Sequence, residues 1–308
     1  MQMKIQELES SLLLFLAAFI WGVAFVAQSI GLSYVGPMTF NGTRFLLGGV
    51  VLLPLIYYRR KRRQTDIDSN PKETRRQRKD LLTGGLCCGL AICIASSFQQ
   101  YGIGYTTVGK AGFITALYIV IVPVLGTFLG KKPGSLVWAG ALLATVGFYL
   151  LCITESFQIN RGDILVFICA ICFSFHIMII DYFAPKVDGV ELSCLQFFIS
   201  GILCMAGAFL WENPSWSQIA AGAVPILYAG IFSCGIAYTL QIIGQAKINP
   251  TVASMVLSLE AVISVLAGWI ILKEELTVRQ ISGCVLVFGA VILAQLPQPL
   301  LKKKEQQE

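Results

Sequence analysis

Two ionisable residues lie inside apolar stretches of about membrane length and are the first candidates for chemistry. Arg44 and Glu260 occupy separate stretches far apart in the chain. A charged side chain near the centre of a membrane helix costs about 2.5–3.5 kcal/mol on insertion scales, so each must face a partner or a wet cavity. We interpret both as part of a substrate or coupling-ion site. The alternative is a structural ion pair that locks two helices together.

Other polar and aromatic residues in such stretches could serve the same site. His176, the one histidine of the chain, could relay protons or could be a neutral, hydrogen-bonded core residue. Gln99 and Gln241 carry amides that could bind polar solutes without burying a charge, or could instead bond helix to helix. Trp21 and Phe173 could line a cavity suited to aromatic or amphipathic solutes, or could simply pack.

No motif of a soluble enzyme or a nucleotide-binding domain is present. The chain contains no G-x-x-x-x-G-K-[ST], H-E-x-x-H or G-x-S-x-G sequence. Cys169 and Cys172 have a C-x-x-C spacing that could suggest a metal or redox site. However, all ten cysteines fall in or beside apolar runs, which favours small packing residues. We therefore expect no catalytic residues, no metal and no cofactor.

The composition is that of an integral membrane protein. Hydrophobic residues make up 56% of the 308 residues and charged residues 13%, with a mean hydropathy of +0.74. Soluble domains carry about 25% charged residues, so this chain could not cover a water-facing surface. The first apolar run, 11–31, is too long for a signal-peptide core and is predicted to be a retained span.

Ten apolar runs are long enough to cross a hydrocarbon core of about 30 Å, which needs about 20 helical residues. They are 11–33, 37–58, 81–103, 108–129, 135–153, 163–183, 192–211, 218–243, 250–272 and 277–297. The longest connection, 59–80, is rich in Lys and Arg, which predicts a cytoplasmic loop that contacts anionic lipid rather than nucleic acid. Both termini, including the tail 298–308, are then cytoplasmic, and so are Lys131, Lys132 and 302–304. Lys110 lies at the outer mouth of the fourth span as a gate candidate or as a snorkelling lysine.

The second half of the chain repeats the first. A shift of 142 positions aligns Gln99 with Gln241 and Tyr118 with Glu260, and a shift of 152 aligns Trp21 with Phe173. These alignments make Tyr118 a further candidate for the site, and they divide the chain into five-helix repeats at 11–153 and 163–297. Since five is odd, the second repeat enters the membrane inverted, a plan typical of secondary transporters with a substrate site near the midplane. Gln99 and Gln241 would then lie on opposite sides of that midplane.

Several segments resemble the EamA family of the drug/metabolite transporter superfamily. They are AFIWGVAF at 18–25, Arg44 with Phe45, the stretch that begins YTTVGKAGFITALYIVIVP at Tyr105, SLEAV at 258–262, and LKEEL at 272–276. Ala261 stands where the family often has proline. The resemblance covers nearly the whole chain and implies ten helices, an inverted repeat, and transport of small metabolites, often as efflux.

The sequence therefore predicts an all-α integral membrane protein of ten transmembrane helices in two inverted five-helix repeats. We expect a secondary transporter that exports small organic metabolites such as amino acids or drugs across the cytoplasmic membrane. The alternatives are an uptake carrier for a nutrient or vitamin, and a non-transporting sensor or an enzyme acting on lipid-linked substrates. The expected partners are a small-molecule substrate, the lipid bilayer and a coupling proton. The sequence is compatible with a monomer or a homodimer.

Overall fold

The computed structural model describes residues 2–63, 71–130, 133–152, 160–273, 275 and 277–295. The predicted tail 298–308, residues 64–70 of the basic connection, Lys131 and Lys132 lie outside these ranges. Within them the chain is helical, with no strand. We number ten helices: α1 Gln2–Gly31, α2 Pro37–Arg63, α3 Pro71–Ile103, α4 Val108–Phe128, α5 Ser135–Cys152, α6 Arg161–Phe183, α7 Gly189–Trp211, α8 Ala223–Gln245, α9 Pro250–Ile271 and α10 Val278–Gln295.

The predicted fold class is confirmed. Eight of the ten helices are long and apolar enough to cross a membrane, and α5 and α10 are apolar helices of 18 residues each. The backbone polar groups of a lipid-spanning segment must be satisfied internally, which a helix does by itself. Ten such helices in two halves give the all-α membrane architecture expected from the sequence.

Some helix ends differ from the predicted boundaries. The basic connection 59–80 was expected to be a loop, but α2 continues to Arg63 and α3 already begins at Pro71. Lys, Arg, Gln and Glu are good helix formers, so both helices extend past the apolar region without unwinding. The eighth run was placed at 218–243, whereas α8 begins at Ala223 after a separate short helix, Trp216–Ala221.

Helices α4 and α9 are both interrupted near their centres, at equivalent places in the two repeats. The α4 break is at Leu117 and the α9 break at Ser258, which differ by one residue under the 142-position shift. The Ser258 hydroxyl donates to the carbonyl of Met255 at 2.7 Å, which satisfies part of the freed backbone. The α9 break thus forms although Ala261 replaces the family's proline. The two breaks lie in helices that both contribute residues to the centre of the bundle.

Equivalent residues of the two repeats make equivalent contacts. A Cβ on Gly102 of α3 would lie 2.9 Å from the Gly162 carbonyl oxygen at the start of α6, and a Cβ on Gly244 of α8 would lie 3.1 Å from that of Ser10 on α1. Gly102 matches Gly244, and Gly162 matches Ser10, under the two shifts. Both crossings bring one helix against another helix's backbone, which a side chain would prevent. The two crossings lie at opposite ends of the bundle.

A pseudo-twofold axis passes between α2 and α7. The rings of Phe45 and Phe197, which are equivalent residues, stack nearly parallel at 11° with centroids 6.0 Å apart. A contact between a residue and its own equivalent occurs only beside the axis that relates the two repeats. The two repeats therefore meet at the centre of the bundle, where α2 packs against α7.

Candidate functional site

A cavity with about 440 Å³ of empty volume lies between the two repeats. Its lining mixes aromatic rings, amides, one guanidinium and one carboxyl group. The lining residues are Trp21, Phe25, Gln28, Arg44, Gln99, Thr115, Tyr118, Phe173, His176, Ile177, Ser233, Tyr238, Gln241, Leu257 and Glu260.

The structure brings all eight of the predicted substrate-binding residues to this one cavity: Trp21, Arg44, Gln99, Tyr118, Phe173, His176, Gln241 and Glu260. It does not bring Lys110 there. Ten of the fifteen lining residues form five repeat-equivalent pairs, namely 21 with 173, 25 with 177, 99 with 241, 115 with 257 and 118 with 260. The pseudo-twofold axis therefore runs through the cavity.

The carboxyl group of Glu260 is bound by its own repeat equivalent. The Tyr118 hydroxyl donates to Glu260 Oε1 at 2.8 Å, and Glu260 is only 4% exposed. Among the described residues, no basic side chain pairs with Glu260. The alternative of a structural ion pair between Glu260 and Arg44 is therefore not what the structure shows. A carboxyl group in this setting can accept a proton or a substrate cation.

Arg44 is held by neutral groups. Its guanidinium carbon lies 4.8 Å from the ring centroid of Phe45 and 5.8 Å from that of Phe40. Its Nε donates to Asn41 Oδ1 at 3.0 Å, while Nη2 has no hydrogen-bond partner in the described part of the chain. A guanidinium pairs most strongly with a carboxylate or phosphate. Arg44 therefore offers the cavity an unused donor for an anionic group.

The two glutamines have different partners. Gln99 Nε2 donates to Thr115 Oγ1 at 3.2 Å, which is a bond between α3 and α4. Gln241 Nε2 donates to Gln245 Oε1 at 3.3 Å within α8, and Gln241 Oε1 is buried with no described partner. Both line the same cavity. Gln241 is left with a free acceptor, and Gln99 is partly engaged in a bond between helices.

His176 sits in an aromatic wall. Its Nε2 lies 3.0 Å from Gln196 Oε1, and it meets Phe173 and Tyr238 edge-on at centroid distances of 6.2 and 6.1 Å. Trp21 packs on Tyr238 at 4.5 Å and donates from Nε1 to the carbonyl of Ser233 at 3.3 Å. His176 Nδ1 has no partner among the described residues. This wall offers apolar surface together with one imidazole nitrogen.

Sequence reasoning did not identify Phe25, Gln28, Tyr238 and several smaller lining residues. Phe25 and Gln28 follow Trp21 by four and seven positions, a spacing that places them on one face of α1. Tyr238 lies three residues before Gln241 on α8. Helical spacing from the candidates already chosen could therefore have identified these three.

Lys110 forms a tight polar cluster at one end of the bundle. Its Nζ lies 2.6 Å from Asp163 Oδ2, and Thr106 donates to Asp163 Oδ1 at 2.9 Å. Asp163 also caps α6, since its Oδ2 accepts from the backbone N–H of Asn160 at 2.9 Å. This cluster joins α4 of the first repeat to α6 of the second, beside the Gly102 crossing.

The cysteines show no metal arrangement within the described residues. Nine of the ten cysteines, all except Cys152, have described side chains, and these nine are free thiols, including Cys169 and Cys172. In the same part of the chain, no group of three or more His, Cys, Asp or Glu side chains could hold a metal ion.

Ten apolar helices in two inverted repeats around a polar central cavity define a transporter fold. The profile of the EamA-like transporter family matches residues 9–153 and 160–296, and the chain belongs to that family. It is similar to an uncharacterized transporter of Archaeoglobus fulgidus, with 30% identity over 293 residues that cover 95% of this chain and 87% of that protein. It is also similar to the uncharacterized transporter YoaV of Bacillus subtilis, with 22% identity over 282 residues, 89% of this chain and 92% of that one.

A solved crystal structure superposes with a TM-score of 0.73 over 93% of this chain and 96% of that chain, at 19% identity. That likeness concerns the fold. Together, the family and the relatives identify a multi-pass membrane protein of a transporter family.

Proposed function

We propose that the protein is a secondary transporter that exports small organic metabolites carrying both an anionic group and hydrogen-bond donors. Amino acids and related compounds meet that description. The observation that carries the proposal is the cavity on the pseudo-twofold axis, with the unpaired Arg44 Nη2 and the unpaired Gln241 Oε1 in its lining residues. Buried polar groups are normally satisfied, so partners missing from the protein point to a solute or water.

The lining supports a bipolar solute of modest size. Arg44 suits a carboxylate, and Glu260 with Gln241 Oε1 suits an ammonium group or another donor. The rings of Trp21 and Tyr238 suit an apolar side chain.

Alternating access would use the two equivalent crossings. The Gly102–Gly162 crossing and the Gly244–Ser10 crossing close opposite ends of the bundle with the same kind of backbone contact. Opening one while the other stays closed exposes the cavity to one side at a time. The Lys110–Asp163 pair would serve as a gate beside the first crossing. Residues at the equivalent positions beside the second crossing, Val252 and Ser11, carry no charge.

Glu260 would couple transport to protons. Its carboxyl group has one described partner, the neutral Tyr118 hydroxyl, so a proton can neutralise it when no substrate cation is present. Competition between a proton and the substrate's ammonium group for one carboxyl group gives exchange. The direction we propose is export across the cytoplasmic membrane, with both termini in the cytoplasm.

The test is flux in liposomes without nucleotide. Purified protein in ATP-free proteoliposomes should move radiolabelled L-amino acids down a gradient, and an opposing proton gradient should drive them uphill. Protein-free liposomes and liposomes with Glu260→Gln protein are the controls. A strict requirement for ATP hydrolysis would contradict a secondary transporter, and absence of flux for all amino acids would contradict the proposed substrate class.

A further inference from the structure

We infer that Asn41 is a positioning residue that holds the guanidinium of Arg44 so that one edge is presented to the anionic group of the substrate. The inference rests on the proposed function and adds a residue to it. Asn41 does not line the cavity. It acts through Arg44, one helical turn further along α2.

Asn41 is fixed on both sides of its amide. Its Nδ2 donates to the backbone carbonyl of Ser96 on α3 at 2.9 Å, and its Oδ1 accepts from Arg44 Nε at 3.0 Å. Asn41 is 0% exposed and Arg44 is 2% exposed. Since both the donor and the acceptor of the amide are engaged, its plane cannot flip without losing two buried bonds. The orientation of the guanidinium then follows from that of the amide.

The same contacts occupy part of the guanidinium of Arg44, and the nitrogen without a partner is available to a ligand. Asn41 occupies Nε, and the rings of Phe40 and Phe45 lie near the guanidinium. Nη2 is buried and has no hydrogen-bond partner among the described residues. Asn41, as a neutral acceptor, orients the guanidinium without neutralising it. A carboxylate at that position would have formed an internal ion pair and removed the attraction for an external anion.

The repeat equivalents show that this anion subsite exists only in one half of the cavity. Asn41 corresponds to Ser193, and Arg44 corresponds to Gln196. Gln196 carries no charge, and its Oε1 is engaged with His176 Nε2 at 3.0 Å. The first repeat therefore supplies a cation where the second supplies a neutral amide. A bipolar solute on the pseudo-twofold axis would bind in one orientation instead of two.

A purely structural role for Asn41, bracing α2 against α3, is the competing explanation. It predicts that changes at Asn41 alter stability and leave ligand preference alone. The positioning role predicts a change in the preference for a free carboxylate over its neutral amide. The two roles are separated by measuring both quantities on the same protein.

The test uses full-length protein in lipid nanodiscs, with apparent affinities from ligand-induced thermal stabilisation. The probes are L-leucine, L-phenylalanine and L-threonine, each paired with its carboxamide. Wild type should prefer at least one free acid.

Asn41→Asp is nearly isosteric and supplies a carboxylate to Arg44, so it should lower affinity for that acid at least tenfold with little effect on its carboxamide. Tenfold corresponds to about 1.4 kcal/mol. Asn41→Leu should weaken the same preference by freeing the guanidinium.

Ser193→Ala, at the repeat-equivalent position, is the matched control and should keep the wild-type preference. If Asn41→Leu does not fold, Asn41→Ala replaces it, because it also removes the bond to Arg44 Nε without adding a charge. Equal acid preference in wild type and Asn41→Asp overturns the positioning role and leaves the proposed function intact. A wild type that binds the carboxamides as well as the acids overturns the anion subsite, and the proposed substrate class with it.

Discussion

Arg44 and Glu260 line one cavity, yet each is bound there by neutral partners: the amide of Asn41 and the hydroxyl of Tyr118. A direct bridge between them would have been the simplest way to bury both. Breaking such a buried pair by removing one partner costs about 3–5 kcal/mol, so a bridge would resist opening during a transport cycle. With separate neutral partners, neither group is neutralised by the other, as the proposed binding of a bipolar substrate requires.

The glutamine pair gives a prediction at the scale of single residues. Gln99→Leu and Gln241→Leu should each leave a folded, membrane-inserted protein with transport reduced at least tenfold, a loss of about 1.4 kcal/mol at a required contact. The physical reason is the loss of amide donors and acceptors from the wall of the cavity. Flux of a radiolabelled substrate and the melting temperature should be measured on the same preparations.

Gln218→Leu is the matched control, because Gln218 is exposed on the short helix Trp216–Ala221. Its flux should stay at the wild-type level. Lower melting temperature with normal flux per folded molecule would assign Gln99 and Gln241 to bracing between and within helices. Gln99 already bonds to Thr115 on a neighbouring helix, so a bracing role is the main alternative for Gln99.

At the scale of helices, the two equivalent backbone crossings have different side chains beside them. The Gly102 crossing lies beside the Lys110–Asp163 pair, in which the side chain of Asp163 is 6% exposed and that of Lys110 is 28% exposed. The equivalent positions at the other end, Val252 and Ser11, form no such pair. This ion pair therefore joins α4 to α6 beside one crossing and has no counterpart at the equivalent positions beside the other.

We predict that Lys110→Met favours opening at that end. Exposed ion pairs are worth up to about 1 kcal/mol, and a loss of that size corresponds to about a fivefold change in the closed-to-open ratio. The reporter is Ser233→Cys, a near-isosteric change in the cavity wall. A membrane-impermeant methanethiosulfonate applied from outside intact cells should label it about fivefold faster in the Lys110→Met background.

Lys110→Arg keeps the charge and should keep the slow rate. The same protein without the Ser233→Cys change corrects for labelling of native cysteines. Equal labelling rates of Ser233→Cys in the wild-type, Lys110→Met and Lys110→Arg proteins would show that the ion pair does not restrict access to the cavity. Substituting Asp163 is a poorer test, because that residue also caps α6 and binds Thr106.

At the scale of the whole molecule, the inverted repeat requires a particular sidedness. Of the 23 Lys and Arg residues, the ten in 59–80 and eight more fall on the predicted cytoplasmic side, four fall outside and Arg44 lies within a span. A reporter placed at Asn70 and another after Glu308 should both report cytoplasm. A third at Asn213, between α7 and α8, should report the outside.

Protease or reporter-enzyme assays in whole cells would measure these positions. Asn70 and Asn213 on the same side would contradict the odd number of spans in each repeat. Because positive residues stay in the cytoplasm, reversing the charge of the 59–80 connection should disturb the first repeat more than the second.

Much of the architecture was accessible from the sequence alone. Each span has to satisfy its own backbone groups in lipid, so length and apolarity reveal it without knowledge of its neighbours. The duplication was visible because residues at close helix contacts, such as Gly102 and Gly244, persist in register. Polar residues inside spans were conspicuous for the same energetic reason, and they led to the eight cavity residues.

The partners of those residues were decided only by the tertiary structure. Whether Arg44 contacts Glu260 or Asn41, and whether His176 contacts Gln196, depends on how each helix is rotated about its axis. A soluble helix reveals its rotation through an apolar stripe, but a helix that is apolar on every side has no such stripe. The rotations, the breaks at Leu117 and Ser258, and the Lys110–Asp163 pair follow from close packing between helices. That packing involves residues distant in sequence, so no single segment of the chain specifies it.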